Sequence, residues 1–292
     1  MRRRATLVIV LLAAATLSLS VGGAAEFAFP LQANSVRLAV IGDFGTGLQP
    51  QIETAQQMVK SRAAFPFEFV LTVGDNLYTG SEPADFDLDF AVPYKALLDA
   101  GVLFYATLGN HDKTNERFYK PFNMNGANYY AFTKGNVRFF ALDSNYMDQR
   151  QIAWLESQLS GAAPNDWKIC FLHHPLYSSG RYHGPATDLR KVLEPMFVKY
   201  GVNVVLAGHE HLYERIVPQK GISYFTEGSS GELRAGNLAP SAITAKGFDT
   251  DRTFLMIEIA GDDLYFQAVS RTGVAVDFGI ISRLRTAAAA RQ

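Results

Sequence analysis

The chain has 292 residues, is 48% hydrophobic and carries 27 Lys and Arg against 28 Asp and Glu. It is long enough for one large α/β domain. The absence of a basic excess argues against nucleic acid as a main partner, because binding a phosphate backbone needs a basic patch. The single Cys170 excludes an internal disulfide, so an exported form would rest on its core or on bound metal.

The chain begins with a basic Arg2-Arg3-Arg4, an apolar run from Ala5 to Val21 and the small residues Gly22-Gly23-Ala24-Ala25. Residues 1–25 therefore read as a secretory signal peptide. A retained anchor fits less well, since the run falls short of a full span and ends in Gly and Ala rather than charge. Both the general secretory and the twin-arginine route stay open. Cleavage would leave 24 basic and 28 acidic residues, a formal net charge of −4. A secreted or periplasmic protein follows, with no stable membrane insertion after cleavage. The folded domain is expected over 32–283, and 284–292, with its alanine run, as a disordered tail.

In chain order, Val36 to Ile41 is a short apolar strand ending at Gly42-Asp43, and Pro50 to Arg62 reads as a helix. Phe67 to Val73 is the next strand, ending at Gly74-Asp75. Leu97 to Leu108 holds a helix end and a strand that stops at Gly109-Asn110. Val137 to Leu142 is a strand ending at Asp143. Asp148 to Leu159 is an amphipathic helix with Ile152, Leu155 and Leu159 on one face. Lys168 to Leu172 is a strand running into His173, and Thr187 to Tyr200 a helix stopped by Gly201. Val202 to Ala207 leads to Gly208-His209. From Ile222 the pattern turns to strand, turn, strand, with Gly261-Asp262-Asp263 as a hairpin turn.

Strands alternate with helices first and a β-rich segment follows, so the expected architecture is two packed mixed sheets flanked by helices. Candidate ligands recur just past the C-terminal ends of strands, the edge at which open α/β sheets bind ligands. Two carboxylates there, Asp43 and Asp75, repel one another unless a cation lies between them. Asn110, His173, His209 and His211 add oxygen and imidazole donors. His209 and His211 alternate and so share a face in extended backbone. His173 ends a continuous apolar strand and is the expected ligand, with His174 beside it or at the surface. Tyr78, three positions after Asp75, can supply a phenolate, a hard donor suited to Fe(III). His111 and His183 remain as candidate proton donors to a leaving alkoxide, with Asp112 a candidate to orient His111. Two ions about 3.5–4 Å apart form the usual apparatus for in-line attack on phosphorus.

Asp43-Phe44-Gly45, Gly74 to Tyr78, Gly109 to Asp112, His173 and Gly208 to His211, in this order, resemble the purple acid phosphatases within the calcineurin-like metallophosphoesterases. Tyr182-His183-Gly184-Pro185 further resembles their small, tartrate-resistant branch. Where many two-metal phosphoesterases carry a histidine two residues after the first aspartate, this chain has Gly45, and the resemblance implies that Tyr78 would replace the lost donor. The resemblance implies a four-layer α/β/β/α sandwich, the metallo-dependent phosphatase fold. It implies Fe(III) on Asp43, Asp75, Tyr78 and His211. A divalent Fe, Zn or Mn ion would lie on Asp75, Asn110, His173 and His209, with Asp75 bridging. His111 and His183 would contact substrate phosphate and assist the leaving group. The implied activity is acid phosphatase, the hydrolysis of small phosphate monoesters by in-line attack of a metal-held hydroxide. Two rivals stay open: a two-metal phosphodiesterase on the same fold, and a non-catalytic metal-binding exported protein.

Overall fold

A computed structural model describes residues 27–283. The expected signal peptide over 1–25 and the tail over 284–292 lie outside the described residues. Among the described residues, thirteen strands form two mixed sheets. The first runs in the order β13 (Ala275–Ser282), β12 (Asp263–Ser270), β11 (Thr253–Ala260), β1 (Val36–Ile41), β2 (Phe69–Thr72) and β3 (Leu103–Ala106). The second runs β10 (Thr244–Phe248), β8 (Tyr213–Ile216), β9 (Ser223–Glu227), β7 (Val204–Ala207), β6 (Trp167–Phe171), β5 (Val137–Ala141) and β4 (Tyr130–Lys134). β1, β2 and β3 are parallel, as are β5, β6, β7 and β9.

The layers follow from side-chain alternation along strands that are apolar on both faces. In β1, Val36, Leu38 and Val40 enter a core shared by the two sheets, while Ala39 and Ile41 enter a second core on the outer face. That outer core includes Ala55 and Met58 of helix α1 (Gln49–Arg62) and Leu97 of a short helix over 95–99. On the far side Phe140, Cys170 and Val205 pack with Leu155 and Leu159 of the helix Gln149–Ser160 and with Leu193 and Phe197 of the helix Thr187–Tyr200. The result is the four-layer α/β/β/α sandwich. Asp148 caps the helix Gln149–Ser160 by accepting from the Gln151 N–H, and Gly201, at φ 68°, ends the helix Thr187–Tyr200 in the left-handed region.

The expected strands fall where their hydrophobic runs are, shortened at the ends: the run over 67–73 forms β2 over Phe69–Thr72. The Gly261 turn joins β11 to β12 as an antiparallel hairpin. Two strands went unread. β4 is partly exposed along its length, and β8, Tyr213–Ile216, directly follows the His209–His211 motif with no turn signal between.

Trp167 is fully buried between the sheets, and its indole N–H donates to the Gly261 carbonyl at 2.9 Å. Trp167→Ala is expected to lower unfolding free energy by about 3–5 kcal/mol in denaturant titrations followed by circular dichroism. A loss under about 1 kcal/mol would mean that the inter-sheet layer does not depend on this side chain.

Candidate metal centre

The strand ends β1, β2, β6 and β7 converge at one edge, and their following residues face each other there. Three of these residues hold backbone that side chains rarely adopt: Asp43 at φ 52°, Asp75 at φ 51° and His209 at φ 71°. Strain of this kind costs about 1–3 kcal/mol and persists where surrounding structure enforces it. Two glycines do part of that work. A Cβ on Gly109 would lie 2.1 Å from Asp75 Oδ1, and one on Gly208 would lie 2.4 Å from Asp43 Oδ2. Backbone thus packs directly on both carboxylates.

The side chains gather in two adjoining groups. In one, Tyr78 Oη donates to Asp75 Oδ2 at 3.0 Å and lies 3.4 Å from His211 Nε2, which in turn lies 3.4 Å from Asp43 Oδ1. In the other, His173 Nε2 lies 2.9 Å from Asn110 Oδ1, 3.1 Å from His209 Nδ1 and 3.5 Å from Asp75 Oδ1. Asp75 belongs to both. Ligand atoms of Asp43, Asp75 and His173 all lie within 4.8 Å of one another.

Hydrogen-bond chemistry tests whether this set fits a cation. His173 Nδ1 sits 2.9 Å from the Val73 carbonyl, which only accepts, so Nδ1 carries the proton. Burial, the largest cause, holds His173 well below the usual imidazole pKa, so Nε2 is a bare lone pair. That lone pair faces the Asn110 oxygen and an Asp75 oxygen. Asp43 Oδ1 is buried with no hydrogen-bond partner at all. Burial first, and the Asp75 charge second, raise the Asp43 carboxyl well above its ordinary range. Burial, followed by the Asp43 and Asp75 charges, likewise raises the Tyr78 phenol. His209 is lowered by burial and then by His173. Lone pairs and like charges forced together without protons are what a bound cation relieves, and the imidazole–carbonyl bond at His173 is the usual outer support of a metal-ligating histidine. The residues fit a metal centre.

Around this cluster the structure brings the other sequence candidates close. The His111 N–H donates to Asp75 Oδ1 at 3.0 Å, and its exposed ring lies 4.9 Å from that of Tyr78. The His183 ring lies 3.9 Å from His209. His174 instead bonds Ser144 Oγ through Nδ1 at 2.8 Å. Asp112 departs from its expected task. Its carboxylate accepts from Asn76 N and Nδ2 and Gly109 N, each at 2.7 Å, and from Leu77 N at 3.1 Å, rather than from the His111 imidazole. It fixes the turn that carries Asp75 and Tyr78.

Other participants gave no sequence signal. Glu210, between the two histidines of its motif, accepts from the backbone of His183 at 2.6 Å and Gly184 at 2.5 Å, and from the Asn237 amide, so it holds the His183 loop against the cluster. Arg234 Nη1 lies 2.9 Å from His183 Nε2. A guanidinium only donates, so His183 accepts there and keeps its proton on Nδ1. A cavity of about 380 Å³ opens beside Asn110, lined also by Ser144, Tyr146 and His174.

Residues 36–213 match the calcineurin-like phosphoesterase family. The chain belongs to this family. The tartrate-resistant acid phosphatase type 5 of Rattus norvegicus is 25% identical over 241 residues, covering 68% of this chain and 73% of the rat protein. Among solved structures, the purple acid phosphatase of yellow lupin seeds superposes with a TM-score of 0.74 at 19% identity, over 87% of this chain and 55% of that one. GAP50, the anchor in the inner membrane complex of Plasmodium, superposes at 0.73 with 22% identity, over 85% and 89%. At these identities the structural likenesses carry the fold alone. The chain is thus a calcineurin-like metallophosphoesterase in its family and its fold, with relatives named as acid phosphatases.

The buried groups give a signed pH expectation for the metal-free protein. Asp43, Asp112 and Glu116 are raised by burial, and Glu227 is pushed up to about 8 by the same cause. A raised carboxyl contributes stability below its ordinary range that is lost as pH climbs through the raised value. His173, His174, His183, His209 and His211 are all lowered, chiefly by burial. Their contribution is present above about 6.5, the ordinary imidazole value, and fades as pH falls below it. Thermal unfolding in chelator should therefore peak near pH 6.5 and decline on both sides, and divalent metal should lessen the alkaline decline by holding the Asp43 carboxylate ionised. A midpoint in chelator that rises steadily from pH 5 to 9 would contradict these assignments.

Proposed function

We propose that the protein is an exported, dinuclear-metal acid phosphatase acting on small phosphate monoesters, its phosphoesterase domain spanning 32–283. The observation that carries this reading is the convergence of Asp43, Asp75, Tyr78, Asn110, His173, His209 and His211 in two groups that share Asp75. The leader pattern over 1–25 supports export, and the acid phosphatase names of the relatives support the ester class.

Asp43, Asp75, Tyr78 and His211 would hold Fe(III), and Asp75, Asn110, His173 and His209 a divalent Fe, Zn or Mn ion. When bound, such ions supply Lewis acidity to phosphoryl oxygens and to the attacking water. The chain's own residues do the rest. His111 and His183 stand at the mouth of the cluster, where they contact the phosphoryl group and deliver a proton to the leaving oxygen. Asp112 and Glu210 act through others: the first fixes the Asp75–Tyr78 turn, the second the His183 loop.

Proton delivery needs a charged imidazole. Burial lowers His183 below the ordinary value, so turnover of esters with poor leaving groups should already be falling before pH reaches about 6.5, the ordinary imidazole value. His183→Ala or His111→Ala should slow alkyl phosphates by roughly a hundredfold and activated aryl phosphates far less, the usual size of general acid catalysis. Equal losses on both esters would leave these histidines with binding alone. A diester cleaved faster than its monoester, with an optimum well above neutral, would favour a phosphodiesterase.

Tyr78 provides a separate check. Iron-loaded, oxidised protein should show a visible absorption band that Tyr78→Phe abolishes while the fold persists by circular dichroism. Active iron-loaded protein without a band would remove Tyr78 from the ligand set.

A further inference from the structure

The segment 231–239 crosses the rim of the cluster and is pinned to it at several points. The Glu232 N–H donates to the Asp43 carbonyl at 2.8 Å, the Arg234 N–H to the His211 carbonyl at 3.0 Å, and the Asn237 amide to Glu210. The Arg234 position is therefore built into the site. Its guanidinium carbon sits over the Tyr182 ring, 3.4 Å from the centroid, and its Nη1 donates to His183 Nε2. Among the described residues it forms no ion pair with any carboxylate. Stacking holds the plane of the fork while leaving most of its five N–H donors free. Tyr182 is itself 64% exposed, so this cation stands at the entrance, one imidazole ring outward from His209.

An oriented, unpaired guanidinium at this distance suits an oxyanion carried by the leaving group rather than the phosphoryl group held at the cluster. We propose that Arg234 is a specificity residue that clamps a second oxyanion on the leaving group. It would thereby favour phosphoanhydrides and carboxylate-bearing phosphate esters over esters of neutral alcohols. The inference rests on the phosphatase reading above. The reaction is ordinary hydrolysis. Water oxygen bonds to phosphorus, the bridging P–O bond breaks with its electron pair going to the leaving oxygen, and a proton from water ends on that oxygen or in solvent. Arg234 contributes binding of the departing anion, in the bidentate manner that matches both phosphate and carboxylate.

The test uses metal-loaded full-length protein with inorganic pyrophosphate, phosphoglycolate and phenyl phosphate, comparing each variant with wild type on the same substrate. Arg234→Met should lower kcat/KM for pyrophosphate roughly tenfold to a hundredfold, mainly through KM, the range expected for a lost charge-assisted bond. Phenyl phosphate, whose activated leaving group depends least on the proton donor His183, should fall far less than pyrophosphate, and Arg234→Lys should restore part of the loss. A matching fall on phosphoglycolate extends the clamp to carboxylates, and its absence restricts it to phosphate. Equal losses on all three compounds overturn the proposal, because the guanidinium then serves the reacting phosphoryl group. No loss on any overturns it as well. If wild type hydrolyses none of them, the phosphatase reading has failed separately. Calorimetric titration with pyrophosphate and inorganic phosphate then decides the clamp: tighter pyrophosphate binding that Arg234→Met abolishes supports it, and no such difference refutes it.

Discussion

Two carboxylates forced together out of water form the constraint on which the site depends. Asp43 is fully buried and Asp75 nearly so, each at the end of a parallel strand and each in left-handed backbone. Neighbouring β1 and β2 bring them side by side, and the glycines of facing turns leave no room for either to withdraw. Ionised, this pair is unfavourable until a cation lies between its members. Most of the arrangement at that edge makes sense as accommodation of that cation: an acceptor tautomer imposed on His173 by a backbone carbonyl, a phenol bonded to Asp75, and a buried Asp43 oxygen that accepts no hydrogen bond.

The sandwich supplies rigidity in proportion to this demand. Two sheets bury their facing surfaces in one core and their outer surfaces in two more. The ligand-bearing residues sit where strands end and turns begin, held by main-chain bonds such as Asp43 N to Gly74 O at 3.0 Å and Gly208 N to His173 O at 2.9 Å. The four bonds to Asp112 and the three to Glu210 extend the same principle outward. Each is a buried or half-buried carboxylate that orders a loop by accepting from its N–H groups.

The architecture was legible because parallel strands buried on both faces are written as unbroken apolar runs, each punctuated by glycine before a polar residue. Eight of the nine site candidates were legible for the same reason, since Asp43, Asp75, Tyr78, Asn110, His111, His173, His209 and His211 all follow such runs; His183 lies in a loop, and the structure brings its ring 3.9 Å from that of His209. What escaped was encoded by tertiary contact alone. Arg234 lies in a Gly-rich loop with no periodicity, and its position comes from a backbone hydrogen bond it donates to the His211 carbonyl and a ring supplied by Tyr182, over 50 residues earlier in the chain. The role of Asp112 was misread because adjacency to His111 in sequence suggested contact, whereas the turn directs the carboxylate towards Asn76 and Leu77. β4 and β8 escaped because half-exposure in one and a missing turn signal in the other blurred the pattern.

In the proposed dinuclear centre a shared carboxylate would make the two ion positions interdependent, and Asp75→Asn addresses that interdependence directly. The decisive measurement is metal content by mass spectrometry of purified wild type and Asp75→Asn, alongside thermal unfolding with and without chelator. The account predicts two ions per chain in wild type and loss of both in the variant, whose unfolding then no longer responds to chelator. A folded Asp75→Asn protein that retains two ions and its chelator-sensitive stability would contradict it.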